Sequence, residues 1–512
     1  MRRLGAEFFC VLFIALFIMF FQLGSYPLLD PDEPVYAQTP REMLAAGDLL
    51  SPRIYGDFWY DKPPMYYWLV AAAAKTFGMG EFAARFPSAL FAVTGALFLF
   101  FSISRLFNVR VAFFSSLVLV TCLEYFYLGK AAVTDMTLNL CLMVSLLSFL
   151  EKRYLLFYLF SALAVVTKGP IGLFFPAVIA FLYLLLMNRW RELPKMSILP
   201  GVLLFAVVAA PWYLLMTYYH GSAFVETFLG FHNVTRFTSP EHASGAVWYY
   251  FIPVLLVGFF PWTTILFQSL WTALTSNSRE RPLLLFFIVW AAVVFLFFSI
   301  SATKLVSYIL PMFPALAVVA GWYIDQMIEK GRSKPRVAAT LITLMLGSAL
   351  IFGLFKALDT MPYLEAGVLG CSAVILGMTV LSAVFYWSRS TGKAVAVQVI
   401  GMAMFVTVVT GLLMPALSPH FSSRELAAEF LRNYDGTSTM HIQKFLQPGI
   451  AFYAEKFGPE FKTVDQLSAL LRRGETGYVL VQRKMYEKLP PQDRQKLVEV
   501  AATADKLMMR IR

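Results

Sequence analysis

Apolar residues in this chain come in long runs rather than in the two-residue alternation of a half-buried strand. The runs fall at about 8–24, 86–107, 111–129, 132–150, 154–167, 171–187, 197–217, 248–270, 283–301, 305–324, 337–356, 366–387 and 395–414. Crossing ~30 Å of hydrocarbon takes about 20 apolar residues, so the pattern predicts roughly thirteen transmembrane helices. The run 154–167 is short for a crossing. Segment 63–78 is apolar but carries Pro63, Pro64 and Lys75, and reads as an interfacial or re-entrant helix.

The polar segments between the runs set the orientation. With the N-terminus inside, the inner loops hold Arg105 and Arg110, then Lys152 and Arg153, then Arg189, Arg191 and Lys195. Further along they hold Arg279 and Arg281, then Lys330, Arg332, Lys334 and Arg336, then Arg389 and Lys393. Basic residues concentrate in cytoplasmic loops, and the short outer loops here carry few. Two outer loops are long, 25–85 and 218–247. An odd number of spans leaves the C-terminus outside.

After Pro415 the pattern changes. Ser423 to Leu431 has helical spacing behind a serine cap, and Val464 to Arg472 reads as a second helix. Thr439-Met440-His441-Ile442 and Gly477-Tyr478-Val479-Leu480-Val481 read as short strands. The expected organisation is an all-α polytopic membrane domain over 1–417, followed by a small extramembrane α/β domain over 418–512.

Composition agrees: 59% of residues are hydrophobic and 14% charged, against about 25% charged in an ordinary soluble domain, and mean hydropathy is +0.67. The net charge of +11 is therefore read as orientation rather than as nucleic-acid binding. Cys10, Cys122, Cys141 and Cys371 all fall inside apolar runs and form neither a disulfide framework nor a metal spacing. Met1-Arg2-Arg3 and the following apolar run to Gly24 read as a retained signal anchor.

Against this background the ionisable residues at the outer ends of spans stand out. Asp30, Asp32, Glu33, Asp61, Lys62, Lys130, Asp135, Lys168, Arg236 and Lys304 all sort to that side. Single basic residues at span ends are commonly interfacial anchors, and an Asp-Pro-Asp-Glu run can be a turn or helix cap. A mixed set of acids and bases on one face instead suggests a polar cavity suited to transfer from a phosphate-linked lipid. Lysine and arginine neutralise a phosphate leaving group. A carboxylate opposite deprotonates or orients an acceptor, or steadies an oxocarbenium-like charge. His232 and His242 are candidate metal ligands or acid–base groups, and aromatics such as Trp59 and Tyr60 either anchor at the interface or stack on a sugar. A transporter of lipid-linked anions would also want a charged cavity, but alternating access predicts repeated halves and charges near the midplane. Here the charges crowd one face, and no repeat stands out.

Asp32-Glu33-x-x-Tyr36-Ala37, Asp61-Lys62-Pro63, Gly129 to Asp135, Thr167-Lys168-Gly169 and Lys304-Leu305 followed by Tyr308-Ile309-Leu310-Pro311 resemble, in collinear order, the bacterial aminoarabinose transferases. These belong to the wider protein mannosyltransferase-like group. The resemblance implies a GT-C glycosyltransferase of the bacterial inner membrane with a lipid-accessible cavity facing the periplasm. Such an enzyme inverts the anomeric centre of a sugar taken from a polyprenyl phosphate; in this branch the sugar is 4-amino-4-deoxy-L-arabinose, the carrier undecaprenyl phosphate and the acceptor lipid A, giving polymyxin resistance. By motif, Asp32 is the principal catalytic carboxylate, Asp135 the second acid and Glu33 their neighbour. Lys62 binds the donor phosphate with Tyr36 nearby, and Trp59, Lys168, Lys304 and Arg236 complete the donor-binding set. Asp61 with His242 or His232 marks a divalent-metal site, zinc or magnesium, of structural character. No nucleic-acid partner is expected, and the chain is expected to act as a monomer among membrane lipids.

Two departures bear on the substrate. The aminoarabinose enzymes have Asp-Glu-Thr-Arg-Tyr-Ala where this chain has Pro34 and Val35, and Glu-Lys-Pro where it has Asp61-Lys62-Pro63. Galacturonic acid, mannose or another hexose, and a hydroxyl acceptor on protein or glycan, remain open alternatives.

Overall fold

A computed structural model describes residues 5–235, 238, 247–330 and 334–512. The chain is a multi-pass, predominantly helical membrane protein. Among the described residues seven helices are long and apolar enough to cross a membrane, or up to nine if each of two bent helix pairs is one span. Four more apolar helices, Ala6–Phe20, Asp135–Leu150, Tyr154–Lys168 and Ile171–Leu186, have 15 or 16 residues. At 1.5 Å per residue they reach roughly 24 Å, so the expected thirteen crossings are not established as thirteen.

The chain divides into two compact units. The larger takes in Met1–Phe21, Tyr60–Tyr66 and Pro87–Val409. Within it Val109–Thr121 packs along Phe313–Lys330, and Asp135–Leu150 packs along Tyr154–Lys168. Small hydroxyl residues let helices approach and bond in an apolar medium: Ser145 and Ser161 share a 2.9 Å hydrogen bond between two helices. Some of the basic loop residues named above have acidic partners. Arg105 meets Glu151 at 2.8 Å, Arg110 meets Asp325 and Glu329, each at 2.9 Å, and Lys152 lies 3.5 Å from Glu192.

The smaller unit takes in Gln22–Trp59, Tyr67–Phe86 and Thr410–Arg512. The domain boundary expected at 417/418 therefore differs from the observed division, because two parts of the first outer loop fold together with the C-terminal segment. That loop is not irregular. Helix Asp32–Ala46 ends at Gly47, whose φ of 64° and bonds back to Leu44 and Met43 close it with a left-handed cap. Strands β1 (Arg53–Ile54) and β2 (Asp57–Phe58) pair as a hairpin. Its turn places both Tyr55 and Gly56 at positive φ, as a type I′ turn requires, and the Glu42 carboxylate accepts both turn amides at 2.8 and 3.0 Å.

The C-terminal part holds the expected strands and helices. Strands β3 (Met440–Gln443), β4 (Glu460–Phe461), β5 (Tyr478–Gln482), β6 (Leu497–Thr503) and β7 (Lys506–Ile511) form one mixed sheet in the order β4-β3-β5-β7-β6. Strands β4, β3 and β5 run parallel, while β7 and β6 are antiparallel to their neighbours. Side chains alternate between faces. Tyr478, Leu480 and Met508 join Leu426, Phe430 and Ile450 in one core, while Val479, Val481, Leu507 and Met509 join Leu467 and Leu471 in another. Helices Arg424–Asn433 and Gln447–Ala454 thus cover one face and Val464–Arg472 the other. The β6–β7 hairpin and the helix Gln447–Ala454 lie beyond the elements expected from the sequence.

Candidate functional site

In the larger unit, Asp135 opens helix Asp135–Leu150 and Lys168 is the last residue of Tyr154–Lys168. The two ends place Lys168 Nζ 2.7 Å from Asp135 Oδ1, with side chains only 13% and 11% exposed. A carboxylate in the first turn of a helix and an ammonium in the last turn of another both suit the helix dipoles. The Tyr308 ring lies 5.3 Å from the same Nζ, within reach of a cation–π contact. Lys304 is buried and donates to the Ser301 carbonyl at 2.7 Å. Lys130 is buried as well and donates to the carbonyl of Phe21.

The same unit holds Tyr60-Asp61-Lys62. Lys62 Nζ is 2.9 Å from Asp61 Oδ1, which makes the two neighbours an ion pair. The Tyr60 ring faces His220 at 5.4 Å and Phe224 at 5.8 Å, and burial pushes the Tyr60 phenol up from its usual range. His220 was not singled out by the sequence. It precedes Gly221, whose φ of 56° and ψ of −139° interrupt the helix Ile198–Phe224, and nothing local in the sequence announces that it meets Tyr60.

Asp32, Glu33, Tyr36 and Trp59 fall in the smaller unit. Asp32 is exposed in the first turn of its helix. Glu33, expected to be catalytic, is buried instead. Its Oε1 accepts from Arg85 Nε at 2.8 Å, and its Oε2 accepts from Arg85 Nη2 at 2.6 Å and from the Leu29 amide at 2.8 Å. Both oxygens are engaged in a bidentate pair, so the catalytic expectation for Glu33 gives way to an anchoring one. Arg85 also donates to the carbonyls of Tyr26 and Pro27 at 2.8 and 2.9 Å and lies 4.0 Å from the Tyr26 ring. The Tyr36 ring stacks on Tyr67 at 5.9 Å. The Trp59 indole N–H is buried with no hydrogen-bond partner among the described residues.

Asp30 lies in a turn, and it does more than turn the chain. Its Oδ2 accepts from the Ser423 hydroxyl at 2.5 Å, and its amide donates to the Phe421 carbonyl at 2.7 Å. Burial pushes its carboxyl up to about 8, against the opposing pull of the Ser423 bond and the Lys506 charge. Lys506 is itself buried, donates to the carbonyls of Pro419 and His420 at 2.8 and 2.7 Å, and is pushed below its usual range by that burial.

Arg236 and His242 lie outside the described residues, as does the side chain of His232. Among the described residues no group of three His, Cys, Asp or Glu side chains is gathered that could hold a metal ion.

The comparisons with known proteins agree with one another on the fold. A family model described as dolichyl-phosphate-mannose-protein mannosyltransferase matches residues 61–214. An uncharacterized protein of Aquifex aeolicus is 33% identical over 61% of this chain and 72% of its own length. The undecaprenyl phosphate-alpha-4-amino-4-deoxy-L-arabinose arabinosyl transferase of Aeromonas hydrophila is 32% identical over 63% of this chain. The chain spans 61% of that relative's length and 64% of the corresponding Edwardsiella ictaluri protein. Among solved structures, ArnT from Cupriavidus metallidurans bound to undecaprenyl phosphate is 22% identical, covers 99% of this chain and 98% of its own, and superposes with a TM-score of 0.79. The oligosaccharyltransferase of Archaeoglobus fulgidus is 12% identical, covers 99% and 76%, and gives 0.56. The chain thus has the fold of the Cupriavidus ArnT, and over part of its length it is similar in sequence to the arabinosyl transferases and to the mannosyltransferase family model.

Proposed function

We propose that this protein is an inverting glycosyltransferase that moves 4-amino-4-deoxy-L-arabinose from undecaprenyl phosphate to lipid A. It acts as a monomer in the bacterial inner membrane with its site toward the periplasm. The observation that carries the reading is the Asp135–Lys168 pair: an acid and a base, both largely buried, at the ends of two apolar helices. Buried charge at a membrane border is costly unless it is paired or used.

In the reaction, the bond between the anomeric carbon and the phosphate oxygen breaks, and its electron pair leaves with the polyprenyl phosphate. The acceptor oxygen attacks the opposite face, which inverts the centre. Lys168 and Lys62 neutralise the charge gathering on the phosphate. Asp135 holds Lys168 in place, and Asp32 is the principal carboxylate. If the acceptor is a lipid A phosphate it is already ionised, and Asp32 orients it or steadies the oxocarbenium-like charge. If the acceptor is a hydroxyl, Asp32 takes its proton. The pairing of Asp61 with Lys62 favours a role for Asp61 in positioning that lysine over a role as metal ligand.

A second reading, the same chemistry with galacturonic acid or a hexose, is favoured by Pro34 and Val35, which remove the arginine that follows the acidic pair in the aminoarabinose enzymes. Mass spectrometry of lipid A and other envelope glycans with and without the gene separates the two by the mass added. Asp32→Asn and Asp135→Asn should each abolish transfer while membrane insertion is retained. Near-normal turnover in both would overturn the site.

A further inference from the structure

The helix Asp32–Ala46 starts without a side-chain cap: Pro31 stands at the N-cap position and has no side-chain acceptor to offer the amides of the first turn. The segment that enters the helix is held instead by residues far along the chain. The Leu28 amide donates to the Tyr453 hydroxyl at 2.7 Å, across 425 positions of sequence. Leu28 is fully buried, and a buried amide must find its partner within the protein.

The Tyr453 hydroxyl also uses its own proton. It donates to Glu81 Oε1 at 3.2 Å, and the same carboxyl oxygen lies 3.4 Å from Arg424 Nη1. One turn further along the helix Glu81–Leu106 is Arg85, which binds Glu33. Asp32 is thus flanked by two fixed points, Leu28 on Tyr453 and Glu33 on Arg85, and Glu81 ties the tyrosine to the helix that carries the arginine.

Helix Gln447–Ala454 supplies the tyrosine and lies along the entering segment. Gly449 and Tyr453, four residues apart, share a face of it: Gly449 lies against Asp30 and Tyr453 against Leu28. At the far end Arg41, from the third turn of the Asp32 helix, donates to the Phe452 carbonyl at 2.6 Å and lies 4.4 Å from the Phe452 ring and 3.6 Å from Glu455. A cation there satisfies one of the carbonyls that a helix end leaves open. The Tyr453 ring meets the Phe452 ring edge-on at 5.0 Å, a contact that phenylalanine would keep. Packing therefore does not require the hydroxyl, whereas Leu28 and Glu81 do.

We propose that Tyr453 is a positioning residue for the transfer reaction that acts through Asp32, by fixing the backbone from which that carboxylate is presented. The C-terminal α/β segment is thereby part of the transfer apparatus. The proposal rests on the reading of Asp32 as the principal carboxylate.

The test uses the full-length wild type, Tyr453→Phe, Glu81→Leu, Glu81→Gln and Asp32→Asn, each purified in lipid nanodiscs. Calorimetry with undecaprenyl phosphate gives the carrier affinity and the fraction of molecules that bind, and single-turnover transfer is expressed per binding molecule. Tyr453→Phe should slow transfer by about 10- to 100-fold, the scale of a reacting group misplaced by up to about 1 Å, with carrier affinity held within about twofold. Glu81→Leu should slow it in the same way, and Glu81→Gln, which keeps an acceptor for the hydroxyl, should restore the rate. If Tyr453→Phe does not fold, the two Glu81 variants carry the test. A purely structural role would lower the binding fraction and leave the rate per binding molecule unchanged, which overturns the proposal. A normal rate in Tyr453→Phe beside an inactive Asp32→Asn overturns this proposal alone. A normal rate in Asp32→Asn overturns both it and the reading of Asp32.

Discussion

Arg85 holds Glu33 through two parallel contacts, Nε to Oε1 at 2.8 Å and Nη2 to Oε2 at 2.6 Å, with the guanidinium wholly buried. The adjacent Asp32 is exposed, so the two acids of one motif have separate tasks: Glu33 fixes the start of the helix, and Asp32 is presented by it. Glu33→Gln leaves a buried guanidinium without its counter-charge, which costs about 3–5 kcal/mol when one partner of such a pair is lost. The melting temperature of the detergent-solubilised protein should fall, and Glu33→Met with Arg85→Met should recover much of the loss. An unchanged melting temperature with abolished transfer would instead return Glu33 to the chemistry.

Asp30 gives the smaller unit a pH dependence of definite sign. Its carboxyl stands at about 8 in the folded protein against an ordinary 3.8, raised by burial. Between those values the folded form holds one proton more than the unfolded chain, so stability falls as pH rises through the window. One such group contributes a slope of about 1.4 kcal/mol per pH unit. Below the window its stabilising contribution is fully present; above it the contribution is lost. Asp30→Asn keeps an acceptor for Ser423 and should flatten this part of the profile, measured by proteolysis or thermal unfolding from pH 5 to 9. A variant whose profile follows the wild type would show that Asp30 ionises as an ordinary carboxylate.

Gly449 closes the same junction from the other side. A Cβ at 449 would lie 2.2 Å from Asp30 Oδ1 and 2.8 Å from Ser423 Cβ. Overpacking of this kind costs about 1–3 kcal/mol, and Gly449→Ala should lower the melting temperature accordingly. Because part of the clash is with the carboxyl, the cost should shrink in an Asp30→Ala background. A double-mutant cycle measures that coupling, and strict additivity would place the strain elsewhere.

How far the sequence reached follows from what each feature depends on. Apolar runs located the membrane segments because hydrocarbon imposes one long, one-dimensional requirement. The strand Tyr478–Gln482 was legible because its side chains alternate between two cores, and Met440–Gln443 because Met440 and Ile442 face one of them. Asp135 and Lys168 stood out as charges at apolar span ends, and the structure pairs them. Glu124, 3% exposed, did not, because a single acid within 111–129 gives no sign that Gly258, where a Cβ would lie 2.5 Å from its Oε2, leaves it room. The partners of Glu33 and Asp30 were not legible for the same reason. Their partners, Arg85 and Ser423, are 52 and 393 positions distant, and a local pattern cannot tell a presented carboxylate from an anchored one.

The Asp135–Lys168 pair separates donor binding from transfer. At 2.7 Å the carboxylate partly satisfies the ammonium that the proposed mechanism turns toward the donor phosphate. Lys168→Met removes the cation and should lower transfer by roughly 10²–10³-fold, the scale of losing one preorganised electrostatic contact, while weakening binding of undecaprenyl phosphate. Asp135→Asn leaves the lysine charged but unheld, so transfer should fall while binding of the bare carrier phosphate is kept or tightened. Residues that act as a unit are not additive, so the double variant should be little slower than the worse single one. Single-turnover transfer, measured beside carrier binding by calorimetry, reads the two effects apart. Unchanged carrier affinity in Lys168→Met would move the phosphate contact away from this lysine and leave Lys62 as the residue to test.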